Sequence, residues 1–336
     1  MRNNKRSALN FLLTTAASVI ALLSLALVAA AQELNDHHHL APDAATSVPA
    51  EPEEQDWAVA NLKKSSRHQE WVKVKAGNRV VDSFVVYPEV KNKATAVIVI
   101  HEIFGMSPWV QSLTDQLAEA GYIAIAPDLL SGMGPKGGGT SDVATGGNNA
   151  VGQAIRDLPA DQLASDLNAV ADFVSKLPGA NGKVVVGGFC WGGGQTFRFA
   201  TNRPTIKAAF VFYGPTPMTG PQGSQTIDKA ALAKIGAPVY GFYAGNDARI
   251  NAALPDTVVA MKEVGKTFDP VTYEGAGHGF MRAGDAPEPK APEATGNKET
   301  DDKAADAYQK SLVAYKANKK ARDEAWVRWK NILKKI

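Results

Sequence analysis

Residues Lys183–Gly194 read K-V-V-V-G-G-F-C-W-G-G-G, and the fold turns on them. Val184–Phe189 opens with three consecutive valines, the composition of a strand buried on both faces. Residues Gly193–Thr201 suit a helix. Between the two lies Gly188-Phe189-Cys190-Trp191-Gly192, a G-x-C-x-G elbow in which a nucleophile is held at a sharp strand-to-helix turn. The flanking positions must be small because strand and helix pass close together there, and Gly193 and Gly194 extend the clearance. The turn leaves Cys190 at a helix N-terminus, where the dipole and free N–H groups favour a thiolate. The backbone N–H of Trp191 then points where an oxyanion would develop.

Cys190 is the only cysteine in 336 residues, which excludes an intramolecular disulfide, a four-cysteine zinc site and a CxxC redox pair. Hydrophobic residues make up 45% and charged residues 21%, a globular composition.

Strand and helix patterns alternate on both sides of the elbow. Upstream, Glu70–Lys75 and Arg79–Tyr87 flank Gly77-Asn78 as a hairpin. Ala94–His101 and Tyr122–Pro127 are apolar runs suited to buried strands, with a helix over Val110–Ala120 between them and another over Leu158–Leu177. Downstream, strands are expected at Ala208–Tyr213, Pro238–Ala244 and Val271–Glu274, and helices at Asp256–Val264 and Tyr308–Ile336. A hairpin followed by repeated β-α units implies an α/β fold with a mostly parallel central sheet flanked by helices on both faces. Two stretches interrupt this rhythm. Ser131–Ala150 holds seven glycines but lacks the ending of a phosphate-binding loop, and is either a lid over a site or a surface insertion. Residues 284–303 read as a solvated insertion.

Asp247 follows the strand at Pro238–Ala244, and His278 follows the strand ending at Glu274. Both fall where an open parallel sheet collects its site, beyond the carboxyl ends of strands. A nucleophile needs a base within hydrogen-bond reach, and the base needs an acid to hold its tautomer. Cys190, Asp247 and His278 supply those three chemistries, in the order nucleophile, acid, histidine. His68, His37–His39 and His101 are weaker competitors by position.

The N-terminus reads as an export signal. Arg2, Lys5 and Arg6 precede an uncharged apolar stretch from Ala8 to Val28, and Ala29-Ala30-Ala31 supplies a small-residue cleavage site. Cleavage after Ala31 would leave no stable membrane span and place the protein in the periplasm or outside the cell; the rival reading is an uncleaved anchor. Subtracting the three signal charges takes the net charge from +2 to −1, so no basic excess argues for nucleic acid. Residues 32–66, rich in Pro, Ala and acids, read as a disordered linker. The folded domain is then 67–336.

His101-Glu102-Ile103-Phe104-Gly105, the G-x-C-x-G-G at Cys190, the Asp247 turn and G-x-G-H-G-F-x-R around His278 resemble the dienelactone hydrolase family of α/β-hydrolases. The resemblance runs from Trp71 to Ile336 and implies a Cys-Asp-His triad. It implies that Glu102 contacts the thiol and holds it neutral at rest, and that the Ile103 N–H is the second oxyanion donor. It makes Arg282 the anchor of a substrate carboxylate, gripped by two parallel bonds. The family's second carboxylate-binding arginine would fall before Leu158, where this chain offers only Arg156. Tyr213 and Trp191 are expected as pocket walls or core.

The expected activity is cleavage of a small ester or lactone, with no metal or organic cofactor and, by default, a monomer. Two other readings stay open: a non-hydrolytic thiol sensor or binding protein on the same scaffold, and a basic final helix that touches anionic lipid or a partner.

Overall fold

The computed structural model describes residues 55–336, apart from 148 and 222. The expected signal segment and residues 32–54 of the expected linker lie outside the described residues. Eight strands form one sheet: β1 (Gln69–Ala76), β2 (Arg79–Val86), β3 (Ala94–Ile100), β4 (Ile123–Pro127), β5 (Ala180–Phe189), β6 (Ala209–Phe212), β7 (Val239–Ala244) and β8 (Phe268–Tyr273). Their order is β1-β2-β4-β3-β5-β6-β7-β8. The β1–β2 hairpin and the β2–β4 pair are antiparallel; every later pair is parallel.

Alternation along β3 explains why the sheet is covered twice. Ala96, Ile98 and Ile100 enter one apolar cluster with Leu163, Leu167 and Val170 of the helix Ala160–Ser175. Val97 and Val99 enter the other, with Leu113 and Leu117 of the helix Pro108–Glu119 and with Trp329 of the final helix. A strand with both faces buried has no polar position to spare, so it reads as an unbroken apolar run.

Register brings the site together. Ile100 of β3 lies opposite Gly188 of β5, and Phe189 lies opposite Phe212 of β6. The next residues of these strands, His101 and Glu102, Cys190, and Tyr213, therefore leave the sheet side by side. Ala244 of β7 pairs with Tyr273 of β8, so the loops bearing Asp247 and His278 leave the same end.

Two expectations need correction. The linker does not run to residue 66, because Asp56–Lys64 is a helix, α1. Trp57 and Leu62 pack into the cluster beneath α2 (Pro108–Glu119), and the Gln55 side-chain oxygen accepts the Trp109 N–H at 2.9 Å, satisfying a free donor at the start of α2. The final helix begins at Lys298 and runs to Leu333, so only the first part of the expected insertion is irregular. Asn297 caps that start by accepting the Thr300 N–H at 3.2 Å, and Lys298–Asp302 and Glu299–Lys303 pair one turn apart.

The glycine-rich stretch, open to reading as a lid or a surface insertion, is a turn tied by buried and half-buried hydrogen bonds. The Asp142 carboxylate accepts the N–H groups of Lys136 and Gly138 at 2.8 and 2.9 Å. Thr140 donates to both oxygens of buried Asp128, at 2.7 and 2.8 Å, and accepts the Met106 N–H at 3.0 Å. Glycine is required at 139 by close approach: a Cβ there would sit 2.1 Å from the Asp128 carboxylate.

Candidate active site

Cys190 ends β5 and precedes the helix Trp191–Asn202, with φ +56° and ψ −119°. A non-glycine residue pays about 1–3 kcal/mol for such a backbone and persists there only when its surroundings over-determine it. Those surroundings are visible. The Cys190 N–H donates to the Phe212 carbonyl at 3.0 Å, and its own carbonyl accepts from Gly193 and Gly194. A Cβ on Gly188 would lie 2.3 Å from the Gly192 carbonyl oxygen, and one on Gly192 would lie 2.3 Å from that of His101. The G-x-C-x-G-G pattern is thus dictated by backbone packed on backbone.

His278 and Asp247 meet as expected from their order. The His278 Nδ1–H donates to Asp247 Oδ2 at 2.5 Å. Asp247 is buried and also caps the short helix after it, its Oδ1 accepting the Ile250 N–H at 3.4 Å. Both oxygens are therefore held, and the imidazole has one orientation. Nδ1 is thereby occupied, which leaves Nε2 as the nitrogen available to a nucleophile. Burial pulls the His278 imidazole down, but Asp247 and Cys190 outweigh it and push it up to about 9. The Tyr213 ring lies edge-on to His278, with centroids 5.0 Å apart.

Glu102 is held by two buried side chains. It is 2% exposed, and its hydrogen-bond partners are Arg282 Nη1 at 3.0 Å and the Tyr213 hydroxyl at 3.4 Å; the expected direct contact with the thiol is not among them. The physical reason is charge. A carboxylate taken out of water needs a counter-charge more than it needs a neutral thiol. Arg282 is itself 6% exposed, lies over the Phe104 ring at 5.4 Å, and is held above its ordinary range against burial by Glu102. It is not a free surface arginine. Tyr213 is wholly buried, with φ +38°, and burial followed by Glu102 pushes its hydroxyl well up. The Cys190 N–H bonds to the carbonyl of Phe212, the residue before Tyr213, so the elbow adjoins this trio.

Ile103 follows Glu102 in a tight turn closed by the Gly105 N–H on the Glu102 carbonyl at 3.1 Å. The N–H groups of Ile103 and Trp191 have no hydrogen-bond partner among the described residues. Arg156 is exposed at the end of the half-buried helix Ala150–Arg156, bonded to Gln153 at 3.2 Å. Among the described residues no three His, Cys, Asp or Glu side chains cluster as a metal site.

One participant had no signal in the sequence. Asn318, 1% exposed in the final helix, accepts the Gly277 N–H at 2.7 Å and so holds the loop just before His278. It lies forty residues from that histidine in an unremarkable helical run, and only tertiary packing brings them together.

The order of strands, the elbow and the paired histidine agree with one group of proteins. The sequence profile of the dienelactone hydrolase family matches residues 81–336. The chain belongs to the dienelactone hydrolase family. A protein of Methylorubrum extorquens strain AM1, provisionally named carboxymethylenebutenolidase, is 32% identical over 217 residues, covering 62% of this chain and 71% of the relative. One of the same name from Saccharolobus solfataricus is 31% identical over 235 residues, covering 60% and 84%. Among solved structures, a provisional dienelactone hydrolase from Klebsiella pneumoniae superposes with a TM-score of 0.57 at 24% identity, covering 75% of this chain and 99% of that one. A dienelactone hydrolase-like promiscuous phosphotriesterase from metagenomic libraries gives 0.57 at 16%, covering 81% and 99%. Those structures establish the α/β-hydrolase fold, and membership of the dienelactone hydrolase family makes the chain a carboxylic ester hydrolase.

Proposed function

We propose that this hydrolase cleaves a small ester or lactone through Cys190 as nucleophile. The observation that carries the reading is the strained elbow at Cys190, facing a histidine that is itself locked on a buried carboxylate at 2.5 Å. Cys190 Sγ attacks the acyl carbon. The carbonyl electron pair moves onto oxygen, where the Ile103 and Trp191 N–H groups receive it. Collapse of that intermediate breaks the acyl C–O bond, and His278 delivers the thiol proton to the departing alkoxide. His278 then takes a proton from water, the hydroxide displaces Sγ, and the acid is released. Asp247 keeps Nδ1 protonated and the ring in place throughout.

Glu102 and Arg282 point to the substrate class. A substrate carboxylate reaching Arg282 competes with Glu102 for the guanidinium, which favours small acids over neutral esters. Tyr213 would follow Glu102 in that exchange, since its hydroxyl shares the carboxylate. The apolar, uncharged stretch Ala8–Val28 behind a basic start supports action outside the cytoplasm.

The test is hydrolysis of carboxylated lactones and neutral aryl esters by wild type, Cys190→Ala and Arg282→Gln. Cys190→Ala is expected to lose at least about a thousandfold in kcat/KM. Arg282→Gln is expected to lose the preference for the carboxylated substrates. Unchanged turnover by Cys190→Ala would sink the mechanism.

A further inference from the structure

His101 immediately precedes Glu102, and its side chain is fully buried. Its two ring nitrogens have opposite partners. Nδ1 lies 2.8 Å from the Glu102 carbonyl oxygen, which can only accept. Nε2 lies 3.4 Å from the Leu129 N–H, which can only donate. The ring is therefore neutral with its proton on Nδ1. Burial lowers its basicity and keeps it so.

The Glu102 carbonyl belongs to the same planar amide as the Ile103 N–H, and in a trans peptide the two point in opposite directions. Whatever grips the carbonyl aims the N–H. The grip here is double, from His101 Nδ1 and from the Gly105 N–H at 3.1 Å. Two donors on the carbonyl also polarise the amide and strengthen its N–H as a donor. The same imidazole lies flat against the Trp191 ring, with centroids 5.6 Å apart and planes 14° apart. The His101 carbonyl, in turn, abuts Gly192 so closely that a Cβ there would clash. One side chain therefore touches both segments whose amides have no partner of their own.

We infer that His101 is a positioning residue of the oxyanion hole, holding the Glu102–Ile103 peptide plane through its Nδ1–H. The inference rests on the reading that the Ile103 and Trp191 amides receive the oxyanion. It assigns the ring no proton transfer and no contact with substrate.

Two variants of the full-length protein separate the functions of the ring. His101→Phe keeps the stack on Trp191 and removes the donor; His101→Asn places an amide donor near Nδ1 and removes the stack. Two readouts separate an oxyanion effect from damage to the thiol. Hydrolysis of an aryl acetate develops an oxyanion, whereas alkylation of Cys190 by iodoacetamide displaces iodide and develops none. For His101→Phe the expected result is a fall in kcat of about 100-fold with KM and the alkylation rate within about twofold of wild type. His101→Asn should keep kcat within about fivefold of wild type. Wild-type kcat in His101→Phe overturns the assignment, and so does a parallel fall in kcat and alkylation. Should His101→Phe fail to fold, His101→Asn decides, because a loss of about 100-fold with intact alkylation would occur although the donor is present. Cys190→Ala run alongside keeps the two claims apart. An active Cys190→Ala removes the underlying mechanism, whereas an inactive one beside a fully active His101→Phe removes only the role given to His101.

Discussion

His278 holds its proton more tightly in the folded chain than a free imidazole does, because Asp247 and Cys190 outweigh its burial. A value raised to about 9 from the ordinary 6.5 has a definite sign for stability. The native state binds the proton and the unfolded chain releases it first, so the stabilisation is complete below about pH 6.5 and is lost as pH rises through about 9. The difference corresponds to at most about 3 kcal/mol. Urea unfolding at pH 6, 8 and 10 is expected to show that loss in wild type and a much flatter profile in Asp247→Asn; equal profiles would contradict the pairing. Cys190 offers a second residue-scale expectation. Its φ of +56° is a conformation that glycine adopts freely and alanine does not. Cys190→Gly should therefore be more stable than Cys190→Ala by about 1 kcal/mol, measured by denaturant midpoint. The residue bearing the reactive group would then be one that weakens the fold.

At the scale of elements, the elbow is a crossing of backbones. Gly188 faces the Gly192 carbonyl and Gly193 faces the Phe212 carbonyl at distances that leave no room for a methyl group, and Gly194 lies tight against Pro215. Gly188→Ala must separate β5 from the helix after it, because the Gly192 carbonyl is backbone that cannot rotate away and the Thr196 hydroxyl crowds the same spot. The expected outcome is a loss of several kcal/mol, read as a drop in Tm of several degrees or more, with activity lost even in the fraction that folds. The glycine-rich stretch before Leu158 behaves as a fixed element for a related reason. Asp128 and Asp142 each hold backbone N–H groups of that turn, and Thr140 ties it to the segment carrying Glu102 and Ile103. A stretch rich in glycine is thus tied down by two carboxylates. The helix α1 shows the converse. Proline and acid content made residues up to 66 look like linker, yet Trp57, Ala58 and Leu62 are spaced to pack on α2.

Across the whole molecule, the final helix is the support on which the site rests. Trp329 is fully buried beneath β5 and β6, within 4.9 Å of the Phe212 ring centroid and 6.0 Å of that of Phe189. Trp329→Ala would empty a cavity under the elbow and is expected to cost about 3–5 kcal/mol, with kcat falling in step as Cys190 loses its footing. Thermal melts and turnover of the purified variant check both halves. Much of this architecture was legible from residues alone. β-Branched runs, glycines on both sides of Cys190, and an acid and a histidine arriving after later strands are local or ordinal signals, and backbone sterics make them near-obligatory. The sequence by itself therefore determined the layered α/β fold and the elbow, and it singled out Cys190, Asp247 and His278 as candidates. The tertiary structure alone decided that Glu102 pairs with Arg282 and Tyr213, that His101 grips the Glu102 carbonyl, and that Asn318 steadies the loop of His278. Those contacts depend on which groups lose water together when distant segments pack, and the balance between desolvation and charge pairing is set in three dimensions, not along the chain.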